Sequence, residues 1–175
     1  MFKVSYLGRP QPAERPRARF SNQGHYYIYN PPKYAEYKQK LIEFFNGFAE
    51  DPELVNLFDK KKIPYGLSVK IVFRFSVKNP NDNPFYTLRP DIDNLFKGII
   101  DSLFQSKVNQ VLDGIETDKN GNPIHDEFGN DIPHFKQRID DSRVVHTEML
   151  KLKATEESPE GFTLIVRNLG LEAIS

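Results

Sequence analysis

The stretch Leu88-Arg89-Pro90-Asp91-Ile92-Asp93-Asn94-Leu95-Phe96-Lys97-Gly98-Ile99-Ile100-Asp101 decides how the rest of the chain is read. Ile92, Leu95, Phe96, Ile99, Ile100, Leu103 and Phe104 recur at helical spacing and predict an amphipathic helix with one buried stripe. Asp93, Lys97 and Asp101 are four residues apart, so they share a face turned away from that stripe. Asp91 follows a proline, where a helix N-cap is expected and free amides tolerate negative charge. Carboxylates on a rigid element are what divalent-cation and phosphate chemistry requires. The competing reading is structural: acids are enriched in first turns, and Lys97 can be a solvated partner for Asp93.

Working outward, Leu67, Val69, Ile71, Phe73, Phe75 and Val77 alternate with Ser68, Lys70, Arg74 and Ser76, a strand buried on one face. The turn-rich loop Asn79-Pro80-Asn81-Asp82-Asn83-Pro84 then delivers the chain to Asp91. The carboxylates therefore lie where a loop after a core strand enters a helix. Upstream, Phe2, Val4 and Tyr6 alternate in a short opening strand. Tyr34, Tyr37, Leu41, Phe44, Phe45 and Phe48 predict a helix near 33–49, and Asp51-Pro52 opens a second helical piece through Phe58.

Between opening strand and first helix runs Arg15-Pro16-Arg17-Ala18-Arg19-Phe20. Its proline forbids a helix, so three arginines are expected on an extended loop, followed by a turn at Gly24 with His25, Tyr26 and Tyr27 exposed. Arginines interleaved with aromatics suit backbone phosphates and unstacked bases. The alternative is a solubilising loop whose tyrosines pack on the core.

Downstream, residues 105–137 read as an irregular acidic insert. Lys119-Asn120-Gly121-Asn122-Pro123 and Phe128-Gly129-Asn130-Asp131 are turn signals, each with an isoleucine shortly after, as successive hairpin turns would have. Asp118, Asn120 and Asn122 start like a calcium loop, but Pro123 replaces the needed glycine and Gly129 the closing glutamate, which excludes an EF-hand. The segment is expected to add little to the core and either to point away from bound DNA or to shield the site from unstructured duplex, and residues 114–134 are expected to be dispensable for folding and dimerisation. Ile139 through Val145 leads into a strand reaching Lys153, and Phe162, Leu164 and Val166 form the last strand. The order β-α-β-α-β-β predicts an α+β fold: a mixed four-stranded sheet packed with two or three helices.

Composition sets the limits. A chain of 175 residues, 38% hydrophobic, is read as one domain over 1–175 with a sizeable core. It has no cysteine, which excludes disulfides and thiolate metal sites. Without a signal peptide or a membrane-length apolar run, a cytoplasmic protein is expected. The 24 basic and 24 acidic residues cancel, yet residues 1–40 carry eight bases against two acids, and residues 105–137 three against six. A basic arm and an acidic middle point to an anionic ligand at one place only.

Three blocks give the chain a resemblance to the RusA-type Holliday junction resolvases of bacteria and their phages. Leu7-Gly8-Arg9-Pro10-Gln11-Pro12 through Arg17 looks like the family's N-terminal arm. Arg89-Pro90-Asp91-Ile92-Asp93-Asn94-Leu95-Phe96-Lys97 looks like its catalytic helix start, and Asp140-Asp141-Ser142-Arg143-Val144 like its Asp-Asp-x-x-Val element. The resemblance implies that Asp91, Asp93 and Asp141 bind metal, that Lys97 is the catalytic lysine, and that Mg2+, with Mn2+ as a substitute, is the cofactor. It implies a homodimer that binds four-way DNA junctions and makes paired, symmetric cuts. Arg15, Arg17, Arg19 and Arg89 are the expected DNA contacts. Asp140 competes with Asp141, since in a strand the two would face opposite ways. Two alternatives stay beside this reading: a nuclease for forks or flaps, and a junction-binding protein that does not cleave. The neutral net charge and the long 105–137 segment depart from the family pattern.

Overall fold

The computed structural model describes residues 1–15, 17–21, 24–29, 31–78 and 81–170; no side chain is described for Arg17, Tyr27 or Tyr29. The order of the main elements is β1 (Phe2–Leu7), α1 (Pro32–Asn46), α2 (Pro52–Leu57), β4 (Leu67–Phe75), α3 (Ile92–Gln105), β7 (Val144–Lys153) and β8 (Gly161–Asn168). Two hairpins interrupt it: β2 (Arg17–Phe20) with β3 (Tyr26–Tyr29), and β5 (Gln110–Ile115) with β6 (Pro133–Gln137).

The main sheet runs β1-β8-β4-β7, with β4 and β7 parallel and the other pairs antiparallel, so it is mixed as predicted. Strand β4 is central because its Leu67, Val69, Ile71, Phe73 and Phe75 are all buried on one face. Leu41 and Phe45 of α1, Leu54 of α2 and Leu95, Ile99 and Leu103 of α3 join them in one core. At about 25 cal/mol per Å2 of apolar surface, this shared burial is the main stabilising term, and it fixes α3 against the sheet.

The structure revises three expectations. The arginine-rich arm is a β-hairpin rather than an extended loop, with Arg17 opposite Tyr29 and Phe20 opposite Tyr26. Pro16 and the loop residues 79 and 80 lie outside the described residues. Asp140 and Asp141 are not in a strand: Asp140 caps a short 3-10 turn over Asp141–Arg143, and β7 begins only at Val144. The 105–137 segment is also not uniformly peripheral. Ser106, Val108 and Asn109 are buried, and the excursion proper starts at Gln110.

Asn109 fastens that excursion. Its amide donates to the carbonyls of Phe104 (3.0 Å) and Ile139 (2.9 Å), and its side-chain oxygen accepts from the Ile139 amide at 3.0 Å. Beyond this joint β5 and β6 project as a ribbon whose tip repeats one turn twice. Asp118 accepts from the amides of Asn120 and Asn122, and Asp126 does the same for Phe128 and Asn130. Gly121 (φ 86°) and Gly129 (φ 81°) supply the left-handed residue each turn needs. Glu116, Ile124 and Ile132 close the tip with a ring of three backbone bonds: Glu116 donates to Ile132, Ile132 to Ile124 and Ile124 to Glu116.

Candidate active site

Leu88 to Asp91 is held from below. Lys151 of β7 donates from Nζ to the carbonyls of Leu88 (2.6 Å) and Pro90 (2.7 Å) and sits 5.4 Å from the centre of the Tyr86 ring. Tyr86 stacks on Phe75 and donates its hydroxyl to the Arg89 carbonyl at 3.2 Å. Lys151 pairs in register with the buried Phe73 and so faces the helix layer, where a lysine is unexpected unless it has such partners. Sequence reading passed over it; a lysine in phase with core residues was the available signal.

On this support Asp91 takes the N-cap position of α3, yet its side chain makes no capping bond. Asp91, Asp93 and Lys97 are all exposed. Among the described residues, Lys97 forms no ion pair with Asp93 or Asp101, and Asp93 stands in the first turn of α3, where the helix dipole favours a carboxylate.

The arm closes over the same helix. The Ala13 amide donates to the Asn94 carbonyl at 2.8 Å, and Gln11 and Ala13 pass Gly98 at 3.6 Å from where a Cβ would stand. The glycine thus faces the arm of its own chain and Tyr34, not a second subunit. Between arm and helix lies a groove of about 430 Å3 lined by Arg9, Gln11, Arg89, Asp91 and Asn94 among others. It adjoins a second hollow of about 330 Å3, through shared Ala13 and Asn94, that Arg15, Lys38, Lys97 and Asp101 line. These cations stand on an otherwise mixed surface beside the carboxylates, a path suited to a phosphate backbone. Further out, Arg15 and Arg19 are exposed on the arm, with Phe20 and Tyr26 at 5.3 Å between ring centres. The described rings of the hairpin are solvent-facing and not packed on the core.

Asp141 lies elsewhere. Its turn packs on α3 just past Ile139, which Asn109 holds beside Phe104 at the helix C-terminus. Asp91 is at the opposite end, about 20 Å away at about 1.5 Å per helical residue. The same separation follows along β7, whose Lys151 touches the Asp91 loop while Asp141 precedes its first residue. One chain therefore brings Asp91, Asp93 and Lys97 together and leaves Asp141 apart. Among the described residues no group of three His, Asp or Glu side chains could hold a metal. Asp140 is occupied: it accepts from the Ser142 amide at 2.9 Å, and this bond holds its carboxyl below the usual range.

Among the described residues no helix is long and apolar enough to cross a membrane. None of the curated proteins matches the sequence. The family model described as endodeoxyribonuclease RusA matches residues 8–111, a span that contains the arm, Arg89, Asp91, Asp93 and Lys97 and stops short of Asp141. From that match over more than half its length, and from the mixed sheet and helices that carry it, the chain belongs to the RusA family of endodeoxyribonucleases.

Proposed function

We propose that this protein is a Mg2+-dependent nuclease that resolves Holliday junctions by paired, symmetric cuts, acting as a homodimer. The observation that carries the reading is a pair of carboxylates, Asp91 and Asp93, left exposed and unspent beside a cation-lined groove inside the family-matched span. Among the described residues Asp91, at the cap position, accepts no capping bond.

The donor set fits a hard cation, because Mg2+ keeps most of its waters and needs only one or two carboxylates with phosphate oxygens. Asp91 and Asp93 would hold it, and when bound it would polarise the scissile phosphoryl group and lower the pKa of a water. Lys97 would stand by the developing negative charge, a preorganised cation whose stabilisation grows in the transition state. Arg9 and Arg89 in the groove, with Arg15, Arg17 and Arg19 beyond it, would fix the strand's register through phosphates without reading bases. Asp141, at the far end of α3, would serve the site of a second copy. A C2 pair makes that exchange twice at once, and it supplies the two related sites that symmetric cutting needs.

The deciding experiment compares a mobile four-way junction, a fork and a flap, each with and without Mg2+. Paired symmetric nicks in the junction, dependent on Mg2+, are expected. Preferential cutting of forks or flaps would replace the substrate, and junction binding without any cutting would replace the activity.

A further inference from the structure

The ribbon beyond Asn109 has an apolar face that no described residue covers. Leu112 lies opposite Phe135 and Ile115 opposite Pro133, so these four share one face, while Asp113 and Lys136 pair by a salt bridge elsewhere on the ribbon. Leu112 is 61% exposed, Phe135 49% and Ile115 40%, and Phe128 at the tip is 81% exposed. An isolated two-stranded ribbon is at best marginal in water, and a contiguous apolar patch on a projecting arm marks a contact surface. The ribbon lies almost wholly beyond the matched span 8–111.

We infer that this face embraces a second copy of the chain, laying Leu112, Ile115 and Phe135 on it. The inference rests on the paired reading above. Two observations favour this occupant over DNA. Residues 110–137 carry six acids against two lysines, a surface that duplex phosphates repel. The ribbon also leaves the fold at Ile139, two residues from Asp141, the side chain that the paired site draws from a second copy. Its first strand alone reaches about 20 Å, at about 3.3 Å per residue, enough to cross a subunit boundary. This departs from the expectation that residues 114–134, which include Ile115 and the tip, are dispensable for pairing.

The test is a dilution series by analytical ultracentrifugation on wild type, Leu112→Ser/Phe135→Ser and His134→Ser. The substituted side chains are exposed, so the monomer fold is retained, which circular dichroism checks. The double variant should raise the dimer dissociation constant at least tenfold, and His134→Ser should not. Junction cutting by the double variant should fail below its new dissociation constant and return above it. An unchanged constant would overturn the inference while leaving the dimeric nuclease intact. An unchanged constant with weakened junction binding would assign the face to DNA, also overturning it. A wild-type protein that cuts as a monomer would remove the paired reading and this inference with it.

Discussion

The Lys151 ammonium donates to the Pro90 carbonyl at 2.7 Å, so the end of an edge strand holds the peptide that immediately precedes Asp91. A second bond to Leu88 makes this a two-point brace under the loop that delivers the carboxylates. Shifts of about 1 Å at a reacting centre cost on the order of 10²-fold in rate. Lys151→Ala should therefore slow single-turnover cutting by about that factor while junction binding persists, and Lys151→Arg should recover part of the loss. Wild-type cutting in Lys151→Ala would show that the loop holds its shape unaided.

Asp93→Asn and Asp141→Asn should each abolish cutting and leave junction binding unchanged or tighter, because the amide keeps shape and removes charge. Asp140→Asn should be milder, since an amide oxygen can still accept from Ser142. Mixing the two inactive proteins distinguishes where the site is built. If Asp141 serves the other subunit, a mixed dimer contains one intact site and nicking returns. If each site is built within one chain, the mixture stays inactive.

Replacing Arg15, Arg17 and Arg19 should weaken binding without changing sequence preference. For every arginine–phosphate pair removed, the slope of log affinity against log salt should fall by about 0.9. A triple alanine variant with the wild-type slope would place the arm off the DNA backbone.

Gly98→Ala should stabilise the monomer by about 0.5–1 kcal/mol, the helix-propensity gain, because the new Cβ meets its neighbours at 3.6 Å, an ordinary contact distance. Urea denaturation measures it. Destabilisation would mean that the arm presses more closely on α3 than these distances allow.

The tip of the ribbon should melt in acid before the core does. Asn122 and Asn130 donate to the carboxyls of Asp118 and Asp126 and hold both below the usual aspartate range. Groups lowered in this way stabilise the folded turn fully above the unfolded value, about 3.9, and lose that contribution as pH falls through the lowered folded value. Amide exchange at Gly121 and Gly129 should accelerate there while Ile71 stays protected. Simultaneous loss of both would mean that the tip and the core unfold together.

What could be read from the chain alone follows from range. Strand β4 and helix α3 carry their own period, so the core and the position of Asp91, Asp93 and Lys97 were visible in neighbouring residues. The β2–β3 hairpin was not, because Pro16 and the arginines read as loop and the pairing partner lies beyond Gly24. Ser106 and Asn109 looked like the polar start of an insert, yet they are buried because their hydrogen bonds are all met internally. Asp141 stood in a recognisable motif, but a motif does not say which end of a helix it will meet. The length of α3 makes that difference, and it separates Asp141 from Asp91 and Asp93 within one chain.

The Asn109 joint has a consequence for how such a chain can vary. It brings the two ends of a 28-residue excursion, 110–137, to one buried side chain, so the cost of closing that loop is met once and grows only slowly with length. Everything beyond the joint is then free to lengthen, shorten or change its surface without disturbing α3 or β7. The fold carries, in effect, a socket, and exchanging what is plugged into it is a route by which one nuclease core could change its company while keeping its chemistry.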